Sequence, residues 1–234
     1  MSLCVIPARG GSKRIPLKNI RAFHGRPMIG WSIAAARASG LFDRVVVSTD
    51  DAGIAEVALA EGAEVPFLRP AELANDHAAT VPVIGHAVTA LGLATDTPVC
   101  CLYATAPFVT AADLAEGARL LALGASYAMA VTRFDYPIQR ALRRAEDGSV
   151  AMMDPAQMLV RSQDLEPAWH DAGQFYWARA ATWAAGLPVF GPGARGVALP
   201  SHRVVDIDTP EDWDRAEALF ALLRPADART GAGA

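Results

Sequence analysis

Cysteine is scarce in this 234-residue chain: only Cys4, Cys100 and Cys101, each inside an apolar run. Three such thiols build no disulfide framework, and no CxxC pair offers a metal site. Cys100 and Cys101 are adjacent, so on a strand they point to opposite faces. No apolar run approaches the roughly 18 residues a membrane-spanning helix needs. An excess of positive charge is also missing. Lys and Arg number 21 against 25 Asp and Glu, a net charge of −4 at pH 7, and the basic residues form no stripe for nucleic acid. Familiar signatures are absent too. There is no Gly-x-x-x-x-Gly-Lys-Ser/Thr loop, no Gly-x-Gly-x-x-Gly turn and no Gly-x-Ser-x-Gly elbow. His24, His77, His86 and His202 form no ligand cluster, and His170 beside Asp171 makes no hydrolase triad. The chain runs from Met1 directly into a strand-like segment with no signal peptide, so a cytoplasmic location is expected.

What is present is apolar bulk, at 52% hydrophobic residues, enough for one large core. In the first half, strand-like and helix-like runs alternate. The strands are Leu3 to Ile6, Arg44 to Ser48, Glu64 to Leu68 and Val99 to Tyr103. The helices cover about 28–39, 52–61, 80–93 and 111–123. This alternation predicts an α/β fold with right-handed crossovers and a mainly parallel sheet sandwiched by helices. Ligands of such sheets bind at the carboxyl ends of the strands. Ser126 to Arg133, Gln174 to Ala178 and Arg203 to Ile207 read as further strands. Between them, residues 134–172 are polar, turn-rich and dotted with aromatics, with a hairpin signal at Asp147-Gly148. An excursion this long is usually functional, as a lid, a dimerisation arm or both. A last helix opens at Thr209-Pro210-Glu211-Asp212, with a Thr cap and first-turn acids. The expected organisation is a single domain over 1–224 followed by a disordered tail, 225–234.

The segment after the first strand carries the strongest signal. Arg9-Gly10-Gly11-Ser12-Lys13-Arg14-Ile15-Pro16-Leu17-Lys18 puts two glycines, a serine and four cations into ten positions. Glycines let backbone N–H groups crowd an anion, and the cations supply charge. The bland alternative is a tight turn with solvated cations. Cations on both sides of the turn, stiffened by Pro7 and Pro16, favour a polyphosphate cradle. A second signal is Asp206-Ile207-Asp208, two carboxylates two residues apart that can serve a hard cation such as Mg²⁺. Asp208 can equally help to cap the next helix. Asp50 and Asp51 precede a helix and read first as an N-cap. Arg69 can reach a base or a phosphate, and Asp76 either joins such a site or starts the next helix. Trp169 to Trp177 mixes aromatics with Gln174, as a sugar site does. The alternative there is a core Phe175 and Trp177 with Tyr176 facing solvent.

In combination, Ile6-Pro7-Ala8-Arg9-Gly10-Gly11-Ser12-Lys13, Lys18-Asn19, Val46-Val47-Ser48-Thr49-Asp50, Arg69-Pro70, Arg161-Ser162-Gln163-Asp164 and Asp206-Ile207-Asp208 resemble the CMP-sialic acid synthetases, the nonulosonate cytidylyltransferases. The resemblance spans residues 3–222. Cys100 to Phe108, Pro137 to Leu142 and His170 to Trp177 are similar to the pseudaminic acid branch of that family. Tyr103 stands where the acylneuraminate branch has a Gln. The resemblance implies a Rossmann-like nucleotidyltransferase fold, usually dimeric through an arm like residues 134–172. It also implies transfer of CMP from CTP to the anomeric hydroxyl of the sugar, with release of pyrophosphate. Arg9, Ser12, Lys13 and Lys18 would hold the triphosphate on the Ala8, Gly10 and Gly11 backbone, and Asn19 and Arg69 would contact cytidine. Asp206 and Asp208 would hold Mg²⁺. Arg9, Lys13, Lys18 and Asp208 would act on the reacting phosphate. Tyr103, Thr105, Gln139, Arg161, Gln163, Gln174 and Tyr176 would meet the nonulosonic acid, Arg161 from a partner protomer.

Three other readings compete. The same transfer onto N-acetylneuraminic or legionaminic acid differs in the groups that read the sugar. A glycosyltransferase would consume a CMP-sugar and release no pyrophosphate from CTP. A non-catalytic module would bind CTP without turnover.

Overall fold

A computed structural model describes residues 1–76 and 78–223; His77 and the expected tail at 225–234 lie outside the described residues. In chain order the elements are β1 (Leu3–Pro7), β2 (Ala22–Phe23), β3 (Arg26–Pro27), α1 (Met28–Ala38), β4 (Arg44–Ser48), α2 (Ala52–Ala60), α3 (Thr80–Ala90), β5 (Pro98–Leu102) and α4 (Ala111–Ala122). There follow β6 (Ala128–Arg133), β7 (Leu142–Arg144), β8 (Val150–Met152), β9 (Trp169–Arg179), α5 (Ala180–Ala184), β10 (Arg195–Leu199) and α6 (Pro210–Leu223). Six strands form the central sheet in the order β10-β6-β9-β5-β1-β4. β1 runs parallel to β4 and β5, β10 runs parallel to β6, and β9 is antiparallel to both of its neighbours.

Strand residues alternate between two cores, as the pleat requires. Cys4, Ile6, Val47, Cys100, Leu102, Phe175 and Trp177 face the layer containing Ile29, Ile33, Ile54 and Leu114 of α1, α2 and α4. Leu3, Val5, Val46, Cys101 and Tyr176 face Ile84, Ala87 and Trp183 of α3 and α5. The two neighbouring cysteines thus part to opposite faces. With both faces covered, Tyr176 is buried, which corrects the reading that left it in solvent. α4 lies close on β9 at Gly117, where an added Cβ would come within 2.5 Å of the Trp177 ring. A third cluster packs α6, through Trp213 and Phe220, on Phe23, Val205 and Ile207.

Two strand expectations fail for identifiable reasons. Glu64 to Leu68 makes only isolated parallel bridges, Val46 with Glu64 and Thr49 with Leu68. Pro66 lies between them and has no N–H for a ladder. Arg203 to Ile207 is not a strand. Ser201–Arg203 is a 3-10 turn, and Arg203 is drawn off the sheet edge onto Asp113 of α4, at 2.6 and 3.0 Å. The sixth strand is Arg195–Leu199 instead. The excursion at 134–168 contains the hairpin expected at Asp147-Gly148, with Leu142–Arg144 antiparallel to Val150–Met152.

Candidate active site

The loop after β1 enters at the carboxyl end of the strand, where the sheet topology puts a ligand. Its backbone is partly committed internally. The Ala8 N–H donates to the Ser48 carbonyl at 2.9 Å and the Ser12 N–H to the Gly10 carbonyl at 3.0 Å. The Gly10 N–H donates to the Asp50 carboxylate at 3.1 Å. Asp51 caps α2 by accepting from the Ile54 N–H at 2.8 Å. The two acids therefore divide the roles that the sequence left open. Gly10 fits tightly here, because a Cβ would meet Asp51 Oδ2 at 2.8 Å. Gly11 has more room, with Arg9 Nη1 at 3.4 Å. Asn19 is buried and donates to the Arg9 carbonyl at 3.1 Å, which fixes the spacing between the two ends of the loop.

The four cations of the loop are divided between two carboxylates. Arg9 Nη1 lies 2.6 Å from Asp76 Oδ1 and Lys13 Nζ 2.5 Å from Asp76 Oδ2. Arg14 Nη2 lies 2.6 Å from Asp208 Oδ2 and Lys18 Nζ 3.0 Å from Asp208 Oδ1. Asp76 therefore does not start α3, whose N-cap residue is Ala79. Hydrogen bonds from Lys13 and Arg9 hold the Asp76 carboxyl down at about 2. Partial burial pushes the Asp208 carboxyl up, but Lys18 and Arg14 outweigh it and the net shift is downward. Asp206 is the converse. Burial and then the charge of Asp208 push its carboxyl above the ordinary range. Among the described residues no three His, Cys, Asp or Glu side chains gather to hold a metal ion, so a hard cation here would rest on the oxygens of Asp206 and Asp208 alone. Asp208 is not the helix cap. Thr209 and Asp212 form a reciprocal box, at 3.2 and 2.9 Å. Asp212 also accepts from the Asp208 N–H at 3.2 Å and so orients the neighbouring acid.

The four cations with Asp76 and Asp208 line one cavity of about 520 Å³, which Ser12, Arg69, Thr80, Tyr103 and Thr105 also line, whereas Asp206 is not on its wall. Arg69 is buried. It donates to the Ser48 carbonyl, to Ser48 Oγ at 3.1 Å and to the Leu73 carbonyl at 3.4 Å. Burial lowers the pKa of its guanidinium, against the opposing charge of Asp50. At the other end of the cavity the Tyr103 hydroxyl shares a 2.7 Å hydrogen bond with Thr80, and burial raises its pKa to about 12. Behind it lies Tyr176, with ring centroids 5.5 Å apart. Tyr176 donates to Asp171 at 2.5 Å and is pushed up first by burial.

The remaining expected sugar residues are elsewhere. Gln174 and Tyr176 are buried behind the cavity wall, and Gln174 donates to the Arg203 carbonyl at 2.7 Å. Gln139, Arg161 and Gln163 stand on the excursion, outside the cavity of their own chain. Gln139 donates to the Glu166 carbonyl at 2.9 Å, and Arg161 pairs with Asp164 at 2.8 Å. Sequence reasoning left Arg14 and Thr80 without a role at this cavity. Arg14 was legible as the fourth cation of the loop. Thr80 was legible only as the end of the Arg69, Asp76 and Thr80 run, with no role of its own attached. A second cavity, about 590 Å³, lies at the root of the excursion between Phe134, Tyr136, Trp169 and Pro200. None of the four cations of the loop lines it. No helix among the described residues is long and apolar enough to cross a membrane.

Residues 3–185 match the family model described as cytidylyltransferase. The chain is 43% identical over 224 residues to the pseudaminic acid cytidylyltransferase of Campylobacter jejuni, spanning 94% of this chain and 97% of that protein. It is 31% identical to the CMP-N,N'-diacetyllegionaminic acid synthase of Legionella pneumophila, over 96% of this chain and 98% of that protein. Among solved structures, a CMP:2-keto-3-deoxy-manno-octonic acid synthetase complexed with CTP shares the fold. Its TM-score is 0.68 at 19% identity, over 96% of this chain and all of that one.

Proposed function

The chain belongs to the cytidylyltransferase family, and from that premise we propose that it transfers CMP from CTP to the anomeric hydroxyl of pseudaminic acid, releasing pyrophosphate. One observation carries the reading: four cations and two carboxylates meet at a single cavity at the carboxyl ends of β1 and β4. A triphosphate needs the cations, and of the two carboxylates, Asp76 and Asp208, the latter lies two residues from Asp206 and would serve a bridging Mg²⁺.

In this reading Arg9, Ser12 and Lys13 hold the outer phosphates, which leave as pyrophosphate. Lys18 reaches the α-phosphate, and Arg69 and Asn19 form the cytidine end. Asp206 and Asp208 would hold Mg²⁺. When bound, that ion polarises the α-phosphate and offsets charge that builds on its oxygens. The rest is positioning: the sugar hydroxyl must be held in line with the bond to the leaving phosphate. Tyr103 and Thr105 form the sugar wall, and Tyr176 braces Tyr103 from behind. Support for pseudaminic acid is the identity along nearly the whole chain, 43% to the pseudaminic acid enzyme against 31% to the Legionella pneumophila legionaminic acid synthase.

Gln139, Arg161 and Gln163 stand off their own cavity, on an excursion that exposes Tyr136, Leu142, Leu159 and Trp169. Apolar exposure of that kind fits an interface. In the reading adopted the excursion is a homodimer arm, its polar residues serve the partner's sugar site, and one catalytic domain carries it in the cytoplasm.

The test is pyrophosphate release from CTP and Mg²⁺ with pseudaminic acid and N-acetylneuraminic acid in parallel. Release with pseudaminic acid alone is expected. Release only with N-acetylneuraminic acid would keep the transfer and overturn the sugar assignment. Release with neither would overturn the sugar assignment and point to another nonulosonate or to a module that binds CTP without turnover.

A further inference from the structure

Among the described residues Asp76 is the acid that pairs with the outer loop cations, and it comes from a different part of the chain. It sits between β4 and α3, yet its two oxygens hold Arg9 and Lys13 at 2.6 and 2.5 Å. These are the cations to which the reading above gives the departing phosphates, and the inference rests on that reading. Nothing else in the fold requires the contact. Asp76 caps no helix, α3 having its N-cap at Ala79. Lys13 is 81% exposed, so its side chain is free to turn to another anion.

We propose that Asp76 is an internal counter-ion for the pyrophosphate end of the cavity. It holds Arg9 and Lys13 while the site is empty, yields them to the β- and γ-phosphates of CTP, and takes them back as pyrophosphate leaves. The sign of its effect follows from the charges. With Asp76 ionised, two cations share one negative charge, and an incoming polyphosphate must compete for them. At neutral pH Asp76 is always an anion, since its carboxyl is held at about 2. Removing the charge strengthens the field that attracts the phosphates. The opposing effect is loss of a prearranged pair of side chains. That loss is small for exposed ion pairs, which order long side chains weakly. Asp76 is thus a positioning residue that favours release over retention.

The test is titration calorimetry of the full chain with pyrophosphate at low salt, for the wild type, Asp76→Asn and Asp76→Glu. Asp76→Asn should bind pyrophosphate about three- to tenfold more tightly, and Asp76→Glu should stay near the wild type. The gap should close as salt screens the charges. In turnover assays Asp76→Asn should show a lower KM for CTP and stronger product inhibition by pyrophosphate. A purely structural role would loosen binding instead. Asp76→Ser gives the same test if the amide disturbs the loop. Equal or weaker binding by the folded Asn and Ser variants would overturn the proposal. If the wild type binds neither pyrophosphate nor CTP, the nucleotide reading itself fails.

Discussion

Lys18 donates to the Ile207 carbonyl at 2.6 Å and to the Asp208 carboxylate at 3.0 Å, joining the loop after β1 to the segment before α6 across 190 residues of chain. The lysine is largely buried and Asp208 about one-third exposed. The contact therefore brings together the cation to which the proposed function gives the α-phosphate and a carboxylate to which it gives Mg²⁺.

Asp208→Ala should lower kcat by at least about two orders of magnitude. The fold should survive, because Asp208 contacts cations at the cavity and takes no part in the hydrophobic clusters. Turnover and thermal unfolding at saturating Mg²⁺ test both halves of the statement. Near-normal turnover would remove Asp208 from the site.

Asp206→Asn should separate stability from activity. The folded-state pKa of Asp206 is raised, by burial and then by Asp208. An acid with a raised pKa favours folding while protonated, and that contribution is lost as pH rises through its folded value. At neutral pH the anion costs stability, so the amide should unfold slightly later, by less than about 1 kcal/mol, because Asp206 keeps much of its surface in water despite the desolvation of its carboxyl. Activity should fall steeply. Added Mg²⁺ should raise the melting temperature of the wild type and leave that of the variant nearly unchanged.

Much of the fold was legible because it rests on local pattern. Alternating apolar strands and amphipathic helices placed β1, β4, β5 and α1 to α4 within a few residues. The cations at 9–18 could be seen to cluster after β1 by charge and glycine alone. Long-range contacts were not legible. Nothing local says that Asp76 will reach back to Arg9, or that Arg203 will leave the sheet edge for Asp113. The residues from Arg203 to Asp208 look like a strand by alternation, but their burial comes from α6, through Val205 and Ile207. Gln139, Arg161 and Gln163 matched a motif whose place in the site is not reached within one chain.

Arg69 should behave as a structural and a binding residue at once. Its guanidinium serves the carbonyls of Ser48 and Leu73 from a buried position. Arg69→Ala removes the donor to the Leu73 carbonyl and leaves the Ser48 carbonyl with only the Ala8 N–H, and should cost about 1–3 kcal/mol in urea unfolding. Arg69→Lys keeps the charge but loses the planar fork. It should cost less stability and still raise the KM for CTP severalfold, with kcat changed less. A variant with unaltered KM would confine Arg69 to the scaffold.

Asp113 ties the approach to Asp206 and Asp208 into α4, and its effect should depend on pH in a definite direction. Burial raises the Asp113 carboxyl, but hydrogen bonds from Arg203 and Thr110 outweigh this and hold it below its ordinary value. A depressed folded pKa means that stability is present above the ordinary carboxylate pKa of about 3.9 and is lost as pH falls through the folded value. Asp113→Asn should therefore cost about 1–3 kcal/mol at pH 7. Its deficit should shrink as pH falls below about 4. It should lower activity as well, because Arg203 accepts from Gln174 through its carbonyl and leads the chain to Asp206. Thermal unfolding of both proteins between pH 3 and 8 measures the deficit. A deficit that stays constant across that range would mean that the Asp113 charge contributes nothing and that Arg203 is held by the rest of its contacts.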